Sequence, residues 1–409
     1  MVSRKTPVGS QRKVAVIGSG PAGLTAALRL AQTGFPVTVF EALPVPGGMM
    51  AVGIPEYRLP RDVLNREIDH IRRAGVEIVC NRALGRDFRL DDLFDREGFK
   101  AVIIAIGAHR GLHLGIPGEE AAGVINGTDF LREAALGRPA AVKGQRVAIV
   151  GGGNVAVDAA RTAWRLGAAE VHIVYRRTRQ EMPAYPEEIE AAHEEGITFH
   201  FLNAPVRVLG SDRVTALEIQ QQKLSEFDAS GRRRPIPVKG AVQTLSVDVV
   251  IPAIGQEPDK LCVLEAGLET NRNSTLKVGP SLSTTRPAVF AAGDAVSGPA
   301  SVIEAVAQGN RVAKEVDLYL STGTRAKVDI PLEARLPPLT WNMEDHSETP
   351  RLRAALAPVA ERAGSFGEVE LPAQEAEIRT ECRRCLRCDL EWGQLEQRQR
   401  EAEQAAGPH

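Results

Sequence analysis

Three glycines near the start of the sequence have the spacing that holds the pyrophosphate of a dinucleotide. In GSGPAGL, Gly18 permits a tight turn, Gly20 lets the backbone approach a pyrophosphate at a helix N-terminus, and Gly23 lets a helix pack closely on a strand. A second strand then ends at Glu41, where a carboxylate can accept hydrogen bonds from the ribose of an adenosine. Together these residues predict a first dinucleotide site.

The same pattern recurs in GGGNVAVDAARTAWRLG, where Gly151, Gly153 and Ala156 take the fingerprint places. Arg176 and Arg177 stand at the end of the next strand, in place of an acidic residue. Guanidinium groups suit a 2′-phosphate by charge and by forked hydrogen bonds, so this site is predicted to favour NADP(H), with NAD(H) as the alternative. The other interpretation is that these arginines point to solvent or to the acidic segment PEEIEAAHEEG.

Three of the five cysteines are clustered: Cys382, Cys385 and Cys388 have the spacing C-x2-C-x2-C. A bacterial iron–sulfur loop continues to a fourth cysteine followed by proline, but Trp392 takes that position here and no proline follows. The run is therefore an incomplete metal site. Two interpretations stay open: the cysteines bind an iron–sulfur cluster or zinc with an outside ligand, or they belong to a thiol-bearing docking segment.

Each glycine run lies between a short β-branched segment and a segment with helical periodicity. KVAVI and QRVAIV precede the glycine runs, and PVTVFEA and EVHIVYRR follow the helices. Strand, turn, helix and strand in this order predict a parallel sheet covered by helices. The predicted fold class is α/β, with two Rossmann-like dinucleotide-binding domains and a C-terminal arm. The proline-rich LPPLTW and the charged LEQRQREAEQ indicate an extended arm suited to lying along another subunit.

The composition limits the classes of protein. The 409 residues are 43% hydrophobic and 25% charged, with a formal net charge of −2, which is typical of globular domains and gives no electrostatic case for nucleic acid or an anionic membrane. At this length two domains, or three small ones, are expected. No apolar run approaches the roughly 20 residues of a membrane span. Because MVSRKTPVGSQRK lacks the apolar core of a secretory signal, a cytoplasmic protein is expected.

The ordered set of motifs resembles the flavoprotein family of the glutamate synthase small subunit, which includes the nucleotide-binding part of dihydropyrimidine dehydrogenase. The resemblance covers about residues 10 to 325 and rests on GSGPAGL, FEALPVPGGMMAVGIPEYRLP, AIGAH, GGGNVAVDAAR, YRRTRQEMPAYPEEIEAAHEEGI, IPAIGQEPD and FAAGDAVSGPASVIEAVAQG. It implies FAD on the first fingerprint and a nicotinamide nucleotide on the second. The residues expected to bind these cofactors are Gly18, Gly20, Ala22, Gly23, Glu41, Gly48, Met49, Arg58, Leu84, Gly107, Gly293, Asp294, Ser301, Val302, Gly151, Gly153, Asn154, Val155, Arg176, Arg177 and Gly255.

The resemblance also implies the arrangement of domains. A discontinuous FAD-binding domain is expected at 1–115 and 285–328, an NAD(P)-binding domain at 116–284, and a C-terminal docking arm with the cysteine-rich segment at 329–409. The flavin ring would lie near GIPEYRLP. Asp294 would bind the ribityl–pyrophosphate region, and a helix opening at Ser301 would direct its positive end toward the ring.

The cysteine positions narrow the expected reaction. Relatives that reduce disulfides carry a cysteine pair beside the flavin, whereas residues 47–60 and 116–261 contain no cysteine. Cys80 and Cys262 are interpreted as buried small hydrophobes. Thiol chemistry at the flavin is therefore not expected. Instead, the flavin is expected to take hydride from NAD(P)H and to pass its electrons on one at a time. Because hydride transfer mainly needs two rings at close distance, no catalytic acid or base is named.

Members of this family usually carry an iron–sulfur domain before the first fingerprint. This chain begins shortly before Gly18, so that domain is expected to be missing. The expected function is an FAD-dependent NAD(P)H oxidoreductase subunit that exchanges electrons with an iron–sulfur partner subunit or ferredoxin. The hetero-oligomer would be of the glutamate synthase, bifurcating, hydrogenase, formate or aldehyde oxidoreductase type. The alternatives are a free-standing ferredoxin–NADP reductase and a non-catalytic nucleotide-binding scaffold.

Overall fold

The computed structural model describes residues 12–228, 231–322 and 351–383. In chain order the strands are β1 (Val14–Ile17), β2 (Val37–Phe40), β3 (Val76–Val79), β4 (Ala101–Ile104), β5 (Arg110–Gly111), β6 (Arg146–Val150), β7 (Glu170–Tyr175), β8 (Thr198–Phe201), β9 (Asn203–Leu209), β10 (Ala216–Phe227), β11 (Arg233–Ser246), β12 (Val249–Pro252), β13 (Gln256–Glu257) and β14 (Val289–Ala291). The helices are α1 (Pro21–Gln32), α2 (Met49–Val52), α3 (Arg61–Arg73), α4 (Leu90–Asp95), α5 (Gly127–Ala135), α6 (Asn154–Arg165), α7 (Pro186–Glu194), α8 (Lys260–Glu265), α9 (Asp294–Ser297), α10 (Val302–Thr322), α11 (Val359–Arg362) and α12 (Glu375–Arg383), with a 3-10 helix at Arg179–Glu181.

The first sheet consists of five parallel strands in the order β14, β4, β1, β2, β3. Its central strand is buried on both faces, because Val14 and Val16 pack into one core cluster and Ala15 and Ile17 into another. Burial on both faces explains why this strand reads as an unbroken apolar run. Strand β14 returns to this sheet from far along the chain.

The second sheet has four parallel strands in the order β12, β6, β7, β8. One face packs against α6 in a core that contains Val147, Ile149 and Ala160. The other face packs against the antiparallel sheet β11, β10, β9, where Ala148 shares a core cluster with Leu217. The three-stranded sheet is therefore a cover on the second parallel sheet.

Helices α1 and α10 pack side by side on the first sheet, and they approach each other closely at Gly309 of α10. A Cβ atom added at Gly309 would lie 2.5 Å from the carbonyl oxygen of Ala22 and 2.9 Å from the Cβ of Thr25. Such an approach excludes any side chain at this position. The glycine thus sets the close distance between the two helices that border the first fingerprint.

The described residues fall into two compact units: one comprises 12–322 and Pro358–Glu368, and the other comprises 351–357 and 369–383. In the smaller unit, two short segments pair through Ala357 N–H to the Val369 carbonyl at 2.9 Å. Helix α12 follows, and its Glu381 accepts a hydrogen bond of 2.9 Å from the Leu352 N–H.

The two parallel sheets with helices on their faces confirm the predicted α/β class and its Rossmann-like halves. The strands and helices that flank both glycine runs form where the patterns placed them. Within the described ranges, no helix combines the length and the apolarity that crossing a membrane requires.

Candidate functional site

A large cleft opens at the carboxyl ends of both parallel sheets. Its volume is about 1520 Å³, beyond the roughly 300 to 1,000 Å³ of a pocket for one small ligand. Of the residues that the sequence singled out, those that line the cleft are Gly18, Gly20, Ala22, Glu41, Gly48, Met49, Arg58, Leu84, Gly107, Gly151, Gly153, Asn154, Val155, Arg176, Arg177, Gly255, Gly293, Asp294, Ser301 and Val302. Gly23 is the exception among the glycines of the fingerprints.

The three glycines of the first fingerprint have different structural roles. Gly18 has φ +104°, and a Cβ there would lie 2.3 Å from the carbonyl oxygen of Ala105. A Cβ at Gly23 would lie 2.1 Å from the Gly18 carbonyl oxygen, so this glycine serves helix–strand packing and not the cleft wall. Gly20 differs, because an added Cβ would meet no atom within 4 Å. Only Gly20 therefore leaves open space for a ligand.

The carboxylate of Glu41 is buried and held by three protein donors. It accepts hydrogen bonds from the Ser19 N–H at 3.0 Å, from the Ser19 hydroxyl, and from the Leu43 N–H at 2.8 Å. These bonds fix the carboxylate at the end of β2, beside the turn of the fingerprint. Three donors leave about one of the roughly four lone-pair sites of the carboxylate open to a donor from a ligand.

The second fingerprint repeats this arrangement. Gly151 has φ +151°, and a Cβ there would lie 2.2 Å from the carbonyl oxygen of Ala253, whereas a Cβ at Gly153 would meet nothing within 4 Å. Asn154 opens α6, and its Oδ1 accepts a 3.1 Å hydrogen bond from the Tyr185 N–H. Gly153 is thus the position at which this half of the cleft can receive a ligand.

The two arginines at the end of β7 have different surroundings. Arg176 is exposed, and its side chain forms no hydrogen bond or ion pair with the described part of the chain. Arg177 is buried, and it donates to Asp228 at 2.6 Å and to the carbonyl oxygen of Arg233 at 2.7 Å. The sequence treated them as an equivalent pair, but the structure gives only Arg176 an open position.

Arg58 also has a protein partner, which the sequence did not predict. Its Nη1 lies 2.9 and 2.8 Å from the two carboxylate oxygens of Asp158, and its Nε lies 3.1 Å from Glu188. Burial raises the pKa of Asp158 to about 6, although Arg58 acts to lower it. The arginine therefore connects the segment GIPEYRLP to helices α6 and α7 at the wall of the cleft.

Behind Arg58 lies a buried group of charges on α6 and α7. Arg161 donates to Glu195 at 3.0 and 2.7 Å, and Arg165 donates to the same carboxylate at 2.8 and 3.1 Å. The Arg165 guanidinium lies 3.9 Å from the ring centroid of Tyr57. The sequence offered one signal for this group, the basic and acidic residues on one face of consecutive helices.

Asp294 follows β14 at the edge of the cleft, where Gly293 has φ +75°. Burial raises the pKa of Asp294 to about 6, and a hydrogen bond from the Ala300 backbone acts in the opposite direction. Next to it, Ser301 caps α10: its hydroxyl oxygen accepts from the Glu304 N–H at 3.3 Å, and the Glu304 carboxylate accepts from the Ser301 N–H at 2.8 Å. Helix α10 begins at Val302, so its N-terminus faces the cleft as expected.

Three polar residues of the cleft were not among the residues that the sequence singled out. His109 lies in the AIGAH stretch, and burial lowers its pKa. Thr128 donates to the carbonyl oxygen of His109 at 3.3 Å, and Asn126 caps α5 through the Thr128 N–H at 3.1 Å. His109 lies in an irregular connection and the other two lie at the start of α5, so hydrophobic periodicity could not identify them.

The cysteines are described in part. Cys382 lies exposed on α12, whereas Cys385 and Cys388 lie outside the described residues, so the proposed metal site stays a prediction. Within the described ranges, no group of three or more His, Cys, Asp or Glu side chains is arranged to hold a metal ion. Cys80 and Cys262 are half-buried rather than fully buried.

Comparisons with known proteins agree with this geometry. The sequence model of the pyridine nucleotide-disulphide oxidoreductase family matches residues 12–309. The NADP(+)-dependent formate dehydrogenase subunit beta of Moorella thermoacetica is 46% identical over 94% of this chain and 55% of that protein, so this chain spans about half of that relative. The glutamate synthase (NADPH) small chain of Halomonas elongata is 36% identical over 76% of this chain and 68% of that protein.

A solved structure supports the fold. FprA of Mycobacterium tuberculosis in complex with NADPH superimposes with a TM-score of 0.66 over 76% of this chain and 85% of that chain, at 19% sequence identity. At that identity the likeness concerns the fold. The resemblance inferred from the motifs is confirmed, and the chain belongs to the pyridine nucleotide-disulphide oxidoreductase family, in the group that contains the glutamate synthase small chains.

Proposed function

We propose that this chain is an FAD-dependent NADP(H) oxidoreductase subunit that moves hydride between the nicotinamide and the flavin and exchanges single electrons with an iron–sulfur partner. The observation that carries the proposal is the shared cleft. Gly20 and Gly153, the open glycines of the two fingerprints, both line it. Two dinucleotides bound at these fingerprints would extend into one space.

The first half of the cleft fits FAD. Helix α1 begins after Gly20, and no side chain of the described residues caps it, which leaves its N-terminal N–H groups for a pyrophosphate. Gly48 supports this loop, since a Cβ there would lie 2.7 Å from the Gly20 Cα. Glu41 would hold the ribose, and Asp294 the ribityl–pyrophosphate region.

The second half fits the nicotinamide nucleotide by the same reasoning. Helix α6 begins after Gly153 and has no side-chain cap among the described residues. Gly255 has φ +148° and lies at the cleft wall beside Leu112. The relatives named for NADP(+) or NADPH, together with Arg176 in place of an acidic residue, favour NADP(H) over NAD(H).

The residues of the chain would bind and orient the two nucleotides. FAD, when bound, supplies the chemistry that converts a hydride donor into a source of single electrons. The N-terminus of α10 at Ser301 and Val302 favours negative charge in the adjacent cleft. Burial raises the pKa of Cys262, which lines the cleft, to about 12, so its thiol stays protonated and is given no role in the reaction.

The proposal extends to domains and partners. The FAD-binding domain would comprise 1–115 and 285–328, the NAD(P)-binding domain 116–284, and the docking arm 329–409. The relatives are a subunit beta and a small chain, which supports a hetero-oligomer. We expect its partner to be an iron–sulfur subunit and its location to be the cytoplasm. Purification of the protein from its native source, followed by measurement of the iron content of the purified material, tests the proposed partnership. A chain that purifies alone and reduces soluble ferredoxin would instead be a free-standing reductase.

Two matched variants test the assignment of cofactors to halves. A Cβ atom added at Gly20 or Gly153 would meet no protein atom within 4 Å, and both residues have a φ that any amino acid adopts, so we expect Gly20→Val and Gly153→Val to fold and to place their side chains in ligand space. We expect Gly20→Val to be colourless because it cannot retain FAD. Gly153→Val should stay yellow but resist bleaching by NADPH. Full FAD occupancy in Gly20→Val would show that the first fingerprint is wrongly assigned.

A further inference from the structure

The tip of the β10–β11 hairpin is fastened to the end of β7 by one buried arginine. Arg177 Nε donates to the carbonyl oxygen of Arg233 at 2.7 Å, and its Nη2 donates to Asp228 at 2.6 Å. Arg177 is only 3% exposed. Its guanidinium therefore holds the hairpin in place, and it does not project into the cleft as a free cation.

This attachment brings another arginine to the cleft wall. Asp228 and Arg232 close the hairpin tip, because the Asp228 N–H donates to the Arg232 carbonyl at 2.8 Å and Asp228 Oδ1 accepts from the Arg232 N–H at 3.3 Å. Arg232 is half-buried at this tip and lines the same cleft as Arg176. Two guanidinium groups thus reach the cleft from β7 and from the hairpin that Arg177 fastens to the end of β7.

Arg176 stands at the end of β7, which is the position at which a Rossmann unit recognises the adenosine ribose. In a Rossmann unit the end of the second strand faces the ribose hydroxyls. The first half of this protein has the carboxylate of Glu41 there, and the second half has Arg176. A phosphate monoester carries more than one negative charge at pH 7 and accepts several hydrogen bonds, so a single exposed arginine satisfies it incompletely.

We propose that Arg232 binds the 2′-phosphate of NADP(H) together with Arg176, and that Arg177 is a positioning residue that holds the hairpin tip for this contact. The inference rests on the proposed function, because it requires NADP(H) on the second fingerprint. Selectivity between NADP(H) and NAD(H) then depends on the antiparallel sheet of β9, β10 and β11 as well as on the end of β7.

Anaerobic stopped-flow reduction of the FAD-loaded chain by NADPH and by NADH tests the proposal. Arg232→Ala and Arg176→Ala should each raise the apparent dissociation constant of NADPH about tenfold or more, since each loses a charge-assisted hydrogen bond. The constant for NADH should change less than about twofold, because NADH has no 2′-phosphate. Arg234→Ala is the control, because Arg234 is exposed on β11 and is not part of the cleft wall.

Two further measurements separate positioning from general damage. 2′,5′-ADP should inhibit the wild type more strongly than 5′-AMP does, and Arg232→Ala should reduce that difference about tenfold, because Arg176 remains. Arg177→Ala should weaken the binding of NADPH but leave the limiting rate of flavin reduction unchanged. Arg177→Lys should restore part of that binding, because a lysine can still pair with Asp228. Equal losses for NADPH and NADH, or an Arg232→Ala variant that behaves like Arg234→Ala, would overturn the inference. A wild type reduced by neither nucleotide would overturn the proposed function itself.

Discussion

Two carboxylates of the cleft are held in different ways. Glu41 is buried but accepts hydrogen bonds from two backbone N–H groups and from the Ser19 hydroxyl, so its orientation is fixed by the fold. Asp294 is half-buried, and burial raises its pKa to about 6 from an ordinary value of 3.8. In the absence of a ligand, the fold therefore disfavours the ionised form of Asp294 near neutral pH.

This difference predicts a pH-dependent effect of Asp294→Asn on the cofactor-free chain. A folded-state pKa above the ordinary value contributes stability that is complete below about pH 3.8 and is lost as the pH rises through about 6. The variant lacks this loss, so the difference between its melting temperature and that of the wild type should increase in its favour between pH 5 and 7.5. Because Asp294 is partly exposed, we discount the effect: the free energy of unfolding of the variant should rise relative to the wild type by about 1 kcal/mol, which corresponds to about 2 °C in melting temperature. Asp212→Asn, at an exposed position, is the control, and a gain no larger than the control's would contradict the prediction.

The segment Pro358–Glu368 shows an element that local pattern could not reveal. Its short helix α11 brings Arg362 to 3.2 Å from Glu194 and 3.4 Å from Glu195, at the C-terminal end of α7. Phe366 lies 6.3 Å from the Tyr57 ring. Two carboxylates at a helix C-terminus are unfavourable without cations, and Arg362 adds a third guanidinium there. The sequence placed this segment in a docking arm because these contacts depend on residues far away in the chain.

The charge at Arg362 predicts a measurable stability loss. Arg362→Ala removes one cation from the buried carboxylate of Glu195, which keeps Arg161 and Arg165. We expect a loss of about 1 to 2 kcal/mol, read as a lower urea midpoint. The control is Arg379→Ala, which breaks an exposed pair with Glu375 and should cost less than about 0.5 kcal/mol. Equal midpoints for the two variants would show that Arg362 contributes no more than a surface charge.

At the scale of the molecule, the two Rossmann halves could be predicted because each is specified locally by a strand, a glycine turn and a helix. The shared cleft could not, because it depends on how the two halves meet. Arg58 and Asp158 are 100 positions apart, and Arg177 and Asp228 are 51 apart, so neither contact leaves a local pattern. The same reason explains why the sequence did not predict the contact of Arg177 with Asp228.

We propose that two nucleotides meet in one cleft, so that hydride passes directly between them. Anaerobic mixing of the purified, FAD-loaded chain with NADPH, without any partner, tests it most directly. We expect the flavin absorbance to be bleached with a stoichiometry of about one NADPH per FAD, and a one-electron acceptor to restore the colour. A flavin that stays oxidised in excess NADPH and NADH, or that is bleached only after another protein is added, would contradict it.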